Sequence, residues 1–200
     1  MKDKIKILVV IDAQHDFISG SLANEDAQKA IPNIVEKIKN FDGDAIYLTM
    51  DTHDDNYLDT PEGKKLPVKH CIYGTEGWKI NKDIQRAIDA KDKKIVVAYI
   101  EKPTFGAVEG VKHKGNMFPN VSLIEAVLSH ESGIKKPIPM EIEICGFVSD
   151  ICVVSNALIL KAYTYDFAEI TVDSKCCAGV TPQKHDAALE VMRSCQINVI

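Results

Sequence analysis

Reactive side chains recur in this sequence just after apolar, β-branched runs. Asp12 closes residues 5–11, Asp51 follows 45–50 with His53 two positions later, Lys102 follows 95–100, and Cys152 lies shortly after 141–147. An acid, an amine and a thiol brought to one place make a nucleophilic site. The thiolate is the attacking form, and a helix N-terminus or a nearby cation lowers a thiol pKa. Cys152 falls in the first turn of a helix expected after Phe147, with Lys102 as the candidate cation. Asp12 is the candidate general base, which needs reach to the thiol proton and a pKa tuned toward neutrality. Each residue alone has a plainer explanation: a buried structural thiol, a turn-capping acid, a surface lysine. Their shared position at strand ends favours chemistry.

Asp51-Thr52-His53 is a metal-site candidate, because residues i and i+2 of an extended segment point to the same side. The stretch continues to Glu62 and His70. Two imidazoles and two carboxylates suit Zn²⁺, Mn²⁺ or Fe²⁺ better than Ca²⁺, and open coordination positions would leave room for substrate or water. Asp54, Asp55 and Asp59 compete with Glu62 as the second carboxylate, and Cys71 is a weaker candidate expected to point the opposite way.

Strands and helices must alternate to place these residues. Strands are expected at 5–11, 45–50, 95–100, 141–147, 170–172 and 197–200. Helices are expected over 31–41 with Pro32 in a first turn, over 81–90, 121–130 and 151–165, and after Thr181 as N-cap. Residues 51–80 read as a long polar stretch with turns, and 103–118 as a Gly-containing loop. Such alternation predicts a single α/β domain over residues 1–200, with a largely parallel six-stranded sheet between helical layers. Right-handed crossovers put every strand's C-terminal end on one edge, where ligands bind in such sheets.

Composition sets the outer bounds. The chain has 200 residues, 46% apolar and 26% charged, which excludes a disordered chain. The net charge of −5 and scattered basic residues give no nucleic-acid footprint. No apolar run approaches the ~18 residues of a membrane span. The opening apolar run is short, contains Lys6 and ends at Asp12 without a small-residue cleavage site, so a cytoplasmic location is expected. Six cysteines without a CxxC pair do not imply a disulfide framework, and Cys176, Cys177 and Cys195 read as small core-filling thiols rather than a redox site. His15, His113, His130 and His185 carry no spacing signal and read as surface or local-structure residues, with His15 close to Asp12 in sequence.

Three motifs together carry a family resemblance. Val9-Val10-Ile11-Asp12-Ala13-Gln14-His15-Asp16-Phe17, Lys102-Pro103-Thr104-Phe105-Gly106-Ala107 and Cys145-Gly146-Phe147-Val148-Ser149-Asp150-Ile151-Cys152-Val153 resemble, in this order, the motifs of cysteine hydrolases in the isochorismatase-like superfamily. Ser149 stands where that family usually has Thr. Within the family, Asp51-x-His53 with Leu66-Pro67-x-x-His70-Cys71-x-x-Gly74-Thr75 is similar to the nicotinamidase metal loop. Thr60-Pro61-Glu62-Gly63 resembles a variant in which glutamate replaces a third histidine.

The resemblance implies a three-layer sheet of order 3-2-1-4-5-6, a triad of Asp12, Lys102 and Cys152, and a divalent metal on Asp51, His53, Glu62 and His70. It implies an oxyanion hole from backbone N–H groups near Val148 and Cys152, with a cis peptide often present in that turn. Phe17 matches an aromatic that packs on the substrate ring; Pro67 replaces a second aromatic, leaving Trp78 as the candidate second wall. The implied activity is deamidation of nicotinamide to nicotinate and ammonia through a cysteine thioester, and relatives are often dimers or tetramers. The competing readings are a metal-free relative acting on a carbamoyl or ureido compound, or a non-catalytic α/β metal-binding protein. Vinyl-ether hydrolysis is disfavoured by the presence of Cys152.

Overall fold

The structure is a computed structural model that describes residues 4–111, 120–131 and 138–200. His113, and residues 112–118 of the expected loop, lie outside the described residues.

Six strands form one parallel sheet in the order β3-β2-β1-β4-β5-β6. They are β1 (Ile5–Ile11), β2 (Ala45–Asp51), β3 (Val96–Lys102), β4 (Met140–Phe147), β5 (Ala168–Ala178) and β6 (Asn198–Val199). β1 is buried at every position but Lys6, and β2 throughout, so both faces of the sheet centre are covered. Continuous β-branched and aliphatic runs are what such doubly covered strands require. The order reverses between β2-β1 and β4, the switch point at which a crevice opens beyond the strand ends.

The helices are α1 (His15–Ile18), α2 (Glu25–Asn40), α3 (Pro61–Lys65), α4 (Lys82–Asp89), α5 (Leu123–Leu128), α6 (Val154–Tyr163) and α7 (Pro182–Ser194). α2 buries Ala27, Ala30, Ile31, Ile34 and Ile38, one stripe at helical spacing. It starts earlier than its apolar stripe suggested, because the Asn24 side chain accepts from the N–H groups of Asp26 and Ala27. Pro32 therefore sits inside the helix rather than in a first turn. It lies on the solvent side, where water can satisfy the carbonyl that its missing N–H leaves free. Thr181 caps α7 as expected, accepting from Lys184 N–H.

β5 runs well beyond the expected 170–172. Between the pairs Ile144↔Val172 and Gly146↔Cys177, β5 advances five residues while β4 advances two. This bulge carries Asp173 toward α2, where Lys37 Nζ lies 2.8 Å from Asp173 Oδ2 and also bonds Glu143. Burial opposes the charge on Lys37, but the two carboxylates win and raise its pKa. Burial likewise opposes ionised Asp173, yet Lys37 holds its carboxyl below the usual range.

This triad stabilises the fold with a defined pH dependence. Asp173's contribution is present above the ordinary carboxylate pKa and is lost as pH falls through its lowered folded value. Lys37's is present below the ordinary lysine pKa and is lost only as pH rises through its raised folded value. Lys37→Met should cost about 1–2 kcal/mol at neutral pH, less than a fully buried pair because the triad is partly wet. Urea unfolding should show that deficit shrinking toward about pH 3; an unchanged deficit would contradict this account.

Candidate active site

β1 ends at Ile11, and Asp12 turns the chain with φ +44°. That left-handed conformation is uncommon without glycine and is best tolerated by Asp and Asn. Asp12 N–H donates to Thr49 Oγ1 at 3.1 Å, and Thr49 Oγ1 donates to Asp12 Oδ1 at 2.6 Å. One carboxylate oxygen is thus fixed. The other, Oδ2, lies 2.8 Å from Lys102 Nζ but takes no well-directed hydrogen bond among the described residues. Asp12 is fully buried; burial pushes its carboxyl pKa up, and Lys102 only partly offsets this.

Lys102 is the last residue of β3 and is 0% exposed, an extreme for an ammonium group. Its Nζ donates to Asp51 Oδ1 at 3.2 Å, to the Thr104 carbonyl at 3.0 Å and to Cys152 Sγ at 3.7 Å. Burial works against the charge, but Asp12 and Asp51 outweigh it and hold the lysine protonated.

Cys152 lies in a π-helical turn, Ser149–Val153, that leads into α6. The expectation that Lys102 and the helix start would lower its pKa is reversed. Burial pushes the thiol up, Asp12 and Asp51 push the same way, and Lys102 does not overcome them. The resting group is therefore a thiol whose proton must be taken by a base. The open oxygen of Asp12 and the thiol flank the same ammonium, which suits that transfer.

Before Cys152, the Phe147–Val148 peptide is cis, and Gly146 adopts φ +118°. A Cβ on Gly146 would fall 2.0 Å from the Ile11 carbonyl, so only glycine lets β4 run this close to the end of β1. The N–H groups of Ile151 and Val153 both donate to the Val148 carbonyl at 3.1 Å, with the Cys152 amide between them. After Cys152, buried Asn156 makes three ties: Nδ2 donates to the Cys152 and Phe105 carbonyls, and Oδ1 accepts Ala107 N–H. It joins the nucleophile turn to the loop following Lys102.

Beside the triad, Asp51, His53, Glu62 and His70 offer donor atoms that all lie within 4.8 Å of one another. Asp54, Asp55, Asp59 and Cys71 are not part of this group. Asp51 ends β2, and its backbone is held by buried Gln14, which accepts Asp51 N–H at 2.7 Å and donates to its carbonyl at 2.8 Å. Glu62 opens α3 under the Thr60 cap. His70 sits before Cys71, whose N–H is fixed by Asp16 Oδ2 at 2.8 Å.

The chemistry of this set fits a divalent cation. His70 Nδ1 donates to the Val68 carbonyl at 2.9 Å, which directs Nε2 at Asp51 and Glu62, 3.5 and 3.9 Å away. Burial lowers the pKa of this imidazole, but its hydrogen bonds to Asp51 and Val68 outweigh that and raise it, and a bound cation would take the place of the Nε2 proton. His53 Nε2 lies 3.0 Å from Asp51 Oδ2 and 3.8 Å from Glu62 Oε1. Burial pushes the Glu62 carboxyl up, and Asp51 adds to that push. Asp51 itself stays well below the carboxylate range, because Lys102 and the two histidines outweigh its burial. Fully buried Tyr57 packs against both imidazoles at 4.6 and 4.9 Å, and burial pushes its phenol up to about 12.

Phe17 sets its ring edge-on to His70, with centroids 5.6 Å apart, beside the donor group. Trp78 is half-buried, donates Nε1–H to Thr52 Oγ1 at 2.9 Å and packs on Tyr73. It lines a cleft with His15, Met50 and Tyr99.

The positioning residues Thr49, Gln14, Tyr57 and Asn156 were missed at the level of sequence; the clearest available signal was Asn156, a polar residue one turn after Cys152. Asn156→Ala would remove the side-chain bonds to two carbonyls and one N–H. At about 1–3 kcal/mol for an unsatisfied buried group, we expect a loss of about 2–4 kcal/mol, allowing for relaxation. Thermal unfolding reads the loss, and Lys102 and Cys152 would be held less firmly. A variant as stable as the parent would show that these three bonds contribute nothing net.

Known proteins share the fold of the whole chain. No curated protein matches the sequence. Among solved structures, a nicotinamidase/pyrazinamidase from Bacillus subtilis superposes with a TM-score of 0.77 at 25% identity, covering 98% of each chain. A pyrazinamidase of Pyrococcus horikoshii in complex with zinc gives 0.72 at 24% identity, again over 98% of each chain. A protein from L. infantum in complex with nicotinate gives 0.72 at 18% identity, over 100% of this chain and 94% of that one. The Isochorismatase domain profile matches residues 6–200, and the chain belongs to the isochorismatase family.

Proposed function

We propose that this chain is a metal-dependent amidohydrolase that converts nicotinamide to nicotinate and ammonia through a thioester on Cys152. One observation carries the reading: the buried Lys102 ammonium touches Asp12, the Cys152 thiol and Asp51, the carboxylate that leads the metal-type donor group. A nucleophile, its base and a substrate-anchoring point are thereby held in one frame.

Asp12 takes the Cys152 proton through its open Oδ2 while Lys102 stabilises the charges that result. Sulfur attacks the carboxamide carbon, and the carbonyl oxygen becomes an oxyanion that the Val148 and Cys152 amides receive. Such donors are worth about 3–4 kcal/mol each. Asp12 returns the proton to nitrogen, the C–N bond breaks, and ammonia leaves. Asp12 then deprotonates a water that attacks the thioester carbon, giving the carboxylate and restoring the thiol. A divalent ion on Asp51, His53, Glu62 and His70 would supply a Lewis-acid anchor for the pyridine nitrogen, setting the carboxamide over Cys152. Phe17 and Trp78 are the proposed aromatic contacts to the ring. The two-nitrogen, two-oxygen donor set suits zinc, manganese or iron, and the zinc named for the P. horikoshii protein is consistent with it. A cytoplasmic homo-oligomer fits the reading; among the described residues no helix is long and apolar enough to cross a membrane.

Purified protein should release ammonia from nicotinamide and carry about one divalent ion per chain. Cys152→Ala should lose about 10³-fold or more of that rate, and chelation should raise KM or abolish turnover. Parallel assays with pyrazinamide and ureido amides test the substrate class. Faster turnover of a ureido compound without metal would replace nicotinamide as the substrate, and full activity of Cys152→Ala would remove the thioester.

A further inference from the structure

Val148 and Cys152, the two residues whose amides would receive the oxyanion, flank Ser149 and Asp150. The two flanked side chains are tied to the segment that leaves β5 and enters α7, Asp150 to the turn and Ser149 to the first turn of the helix. Ser149, 0% exposed, shares a hydrogen bond of 2.8 Å between its Oγ and His185 Nδ1. Asp150 Oδ1 accepts Val180 N–H at 2.8 Å. The receiving turn is anchored from both sides. Gly179 opens the turn, and its carbonyl accepts Asn24 Nδ2 at 2.8 Å. A Cβ on Gly179 would fall 2.8–2.9 Å from the His185 backbone and Cβ, so glycine allows the turn to close on α7. α7 is in turn seated by Ala188, Leu189 and Met192 in the core. Beneath the same turn, Gly146 and Phe147 of β4 pair with Cys177 and Ala178 of β5.

Oxyanion donors act only when they are already aimed, within a fraction of an ångström, before charge develops. The bonds within the turn close it on itself but do not fix its place against the rest of the molecule. Asn156 fixes its far side to the loop after Lys102, and Ser149 and Asp150 fix its near side to α7 and the turn before it. We propose that His185, through Ser149, is a positioning residue that holds the Val148–Cys152 amides on the oxyanion. His185 touches no reacting atom. The proposal rests on the acyl-transfer role of Cys152 argued above but not on nicotinamide as the substrate.

The test uses the full chain loaded with metal and the variants His185→Ala, Ser149→Ala, the double variant and His185→Asn. Asn can present a polar atom near the place of Nδ1. p-Nitrophenyl acetate is the acyl probe, since it needs the nucleophile and the oxyanion donors but no ring anchor; Cys152→Ala is the blank. Iodoacetamide alkylation of Cys152 reads the thiol and its base without an oxyanion. Acylation should slow about 10- to 100-fold in each Ala variant, with the double variant no slower than the slower single one. Alkylation should stay within about twofold, and His185→Asn should recover most of the acylation rate. With nicotinamide, the same loss should fall on kcat with KM little changed.

Ala variants that acylate at the parent rate overturn the proposal. So does alkylation that falls in step with acylation, which would mark a general loss of structure. A parent chain alkylated at Cys152 but never acylated overturns both the oxyanion site and its positioning. A parent chain that acylates but releases no ammonia from nicotinamide removes only the substrate. The slowed, rescued acylation then still establishes the positioning role.

Discussion

A buried lysine ammonium organises this site. Lys102 has no exposed surface, and a lone ammonium in that place would lose its proton rather than remain charged. Asp12 and Asp51 keep it charged, and it in turn makes two buried carboxylates tolerable side by side. Removing any one of the three leaves the others uncompensated, which is far costlier than replacing the whole set would be. The ends of β1, β2 and β3 are therefore bound by charge as well as by strand pairing. Glu62 adds a third carboxylate, so with neutral histidines the formal count is two negative charges in excess, which a divalent ion would cancel. Burial is the main upward push on both Glu62 and Asp12, and the neighbouring Asp51 carboxylate adds to it in each case.

The scaffold converts that arrangement into geometry. Parallel pairing sets Asp51 level with Lys102, in register on neighbouring strands. Asp12 leaves the sheet in a left-handed turn, and Gly146 admits the close approach of β4, so Asp12 and the Cys152 turn arrive from adjacent strands. Uncharged groups then remove the remaining freedom. Thr49 occupies one oxygen of Asp12 and so decides which oxygen is left for the proton. Gln14 does the corresponding work on the Asp51 backbone.

The strand positions and the charged residues at their ends were legible in sequence because both leave strong signals, whereas the strand order was implied only by the family resemblance. Doubly buried parallel strands are unbroken apolar runs, and an acid, a lysine or a D-x-H pair at the end of such a run stands out. The groups that aim these residues leave no such signal. Thr49 lies inside β2 and looks like an ordinary strand threonine until β1 is laid beside it. Ser149 meets His185 only because α7 returns over the nucleophile turn. The length of β5 was hidden by its bulge, whose Asp173-Ser174-Lys175 stretch reads as a polar loop although Asp173 pairs inward with Lys37. Residue type also misled in one case. A cysteine near a lysine suggests a lowered pKa, but full burial and two carboxylates reverse the sign.

That reversal bears on how the site works. A resting thiolate would be open to any electrophile, whereas a resting thiol is activated only when its proton can move to Asp12. In the proposed mechanism Asp12 would accept it, since burial raises its basicity and Lys102, 2.8 Å from its Oδ2, would compensate the charge. Asp51 joins this proton pathway to the donor group, since its two oxygens face different partners: Oδ1 the ammonium, Oδ2 the histidines. A cation bound at Oδ2 would draw charge away from Oδ1 and weaken its hold on Lys102, leaving more of the ammonium's field for Asp12 and the thiol. On the proposed mechanism, the anchor for the substrate and the deprotonation of the thiol would then be linked through one carboxylate, Asp51, which faces both groups.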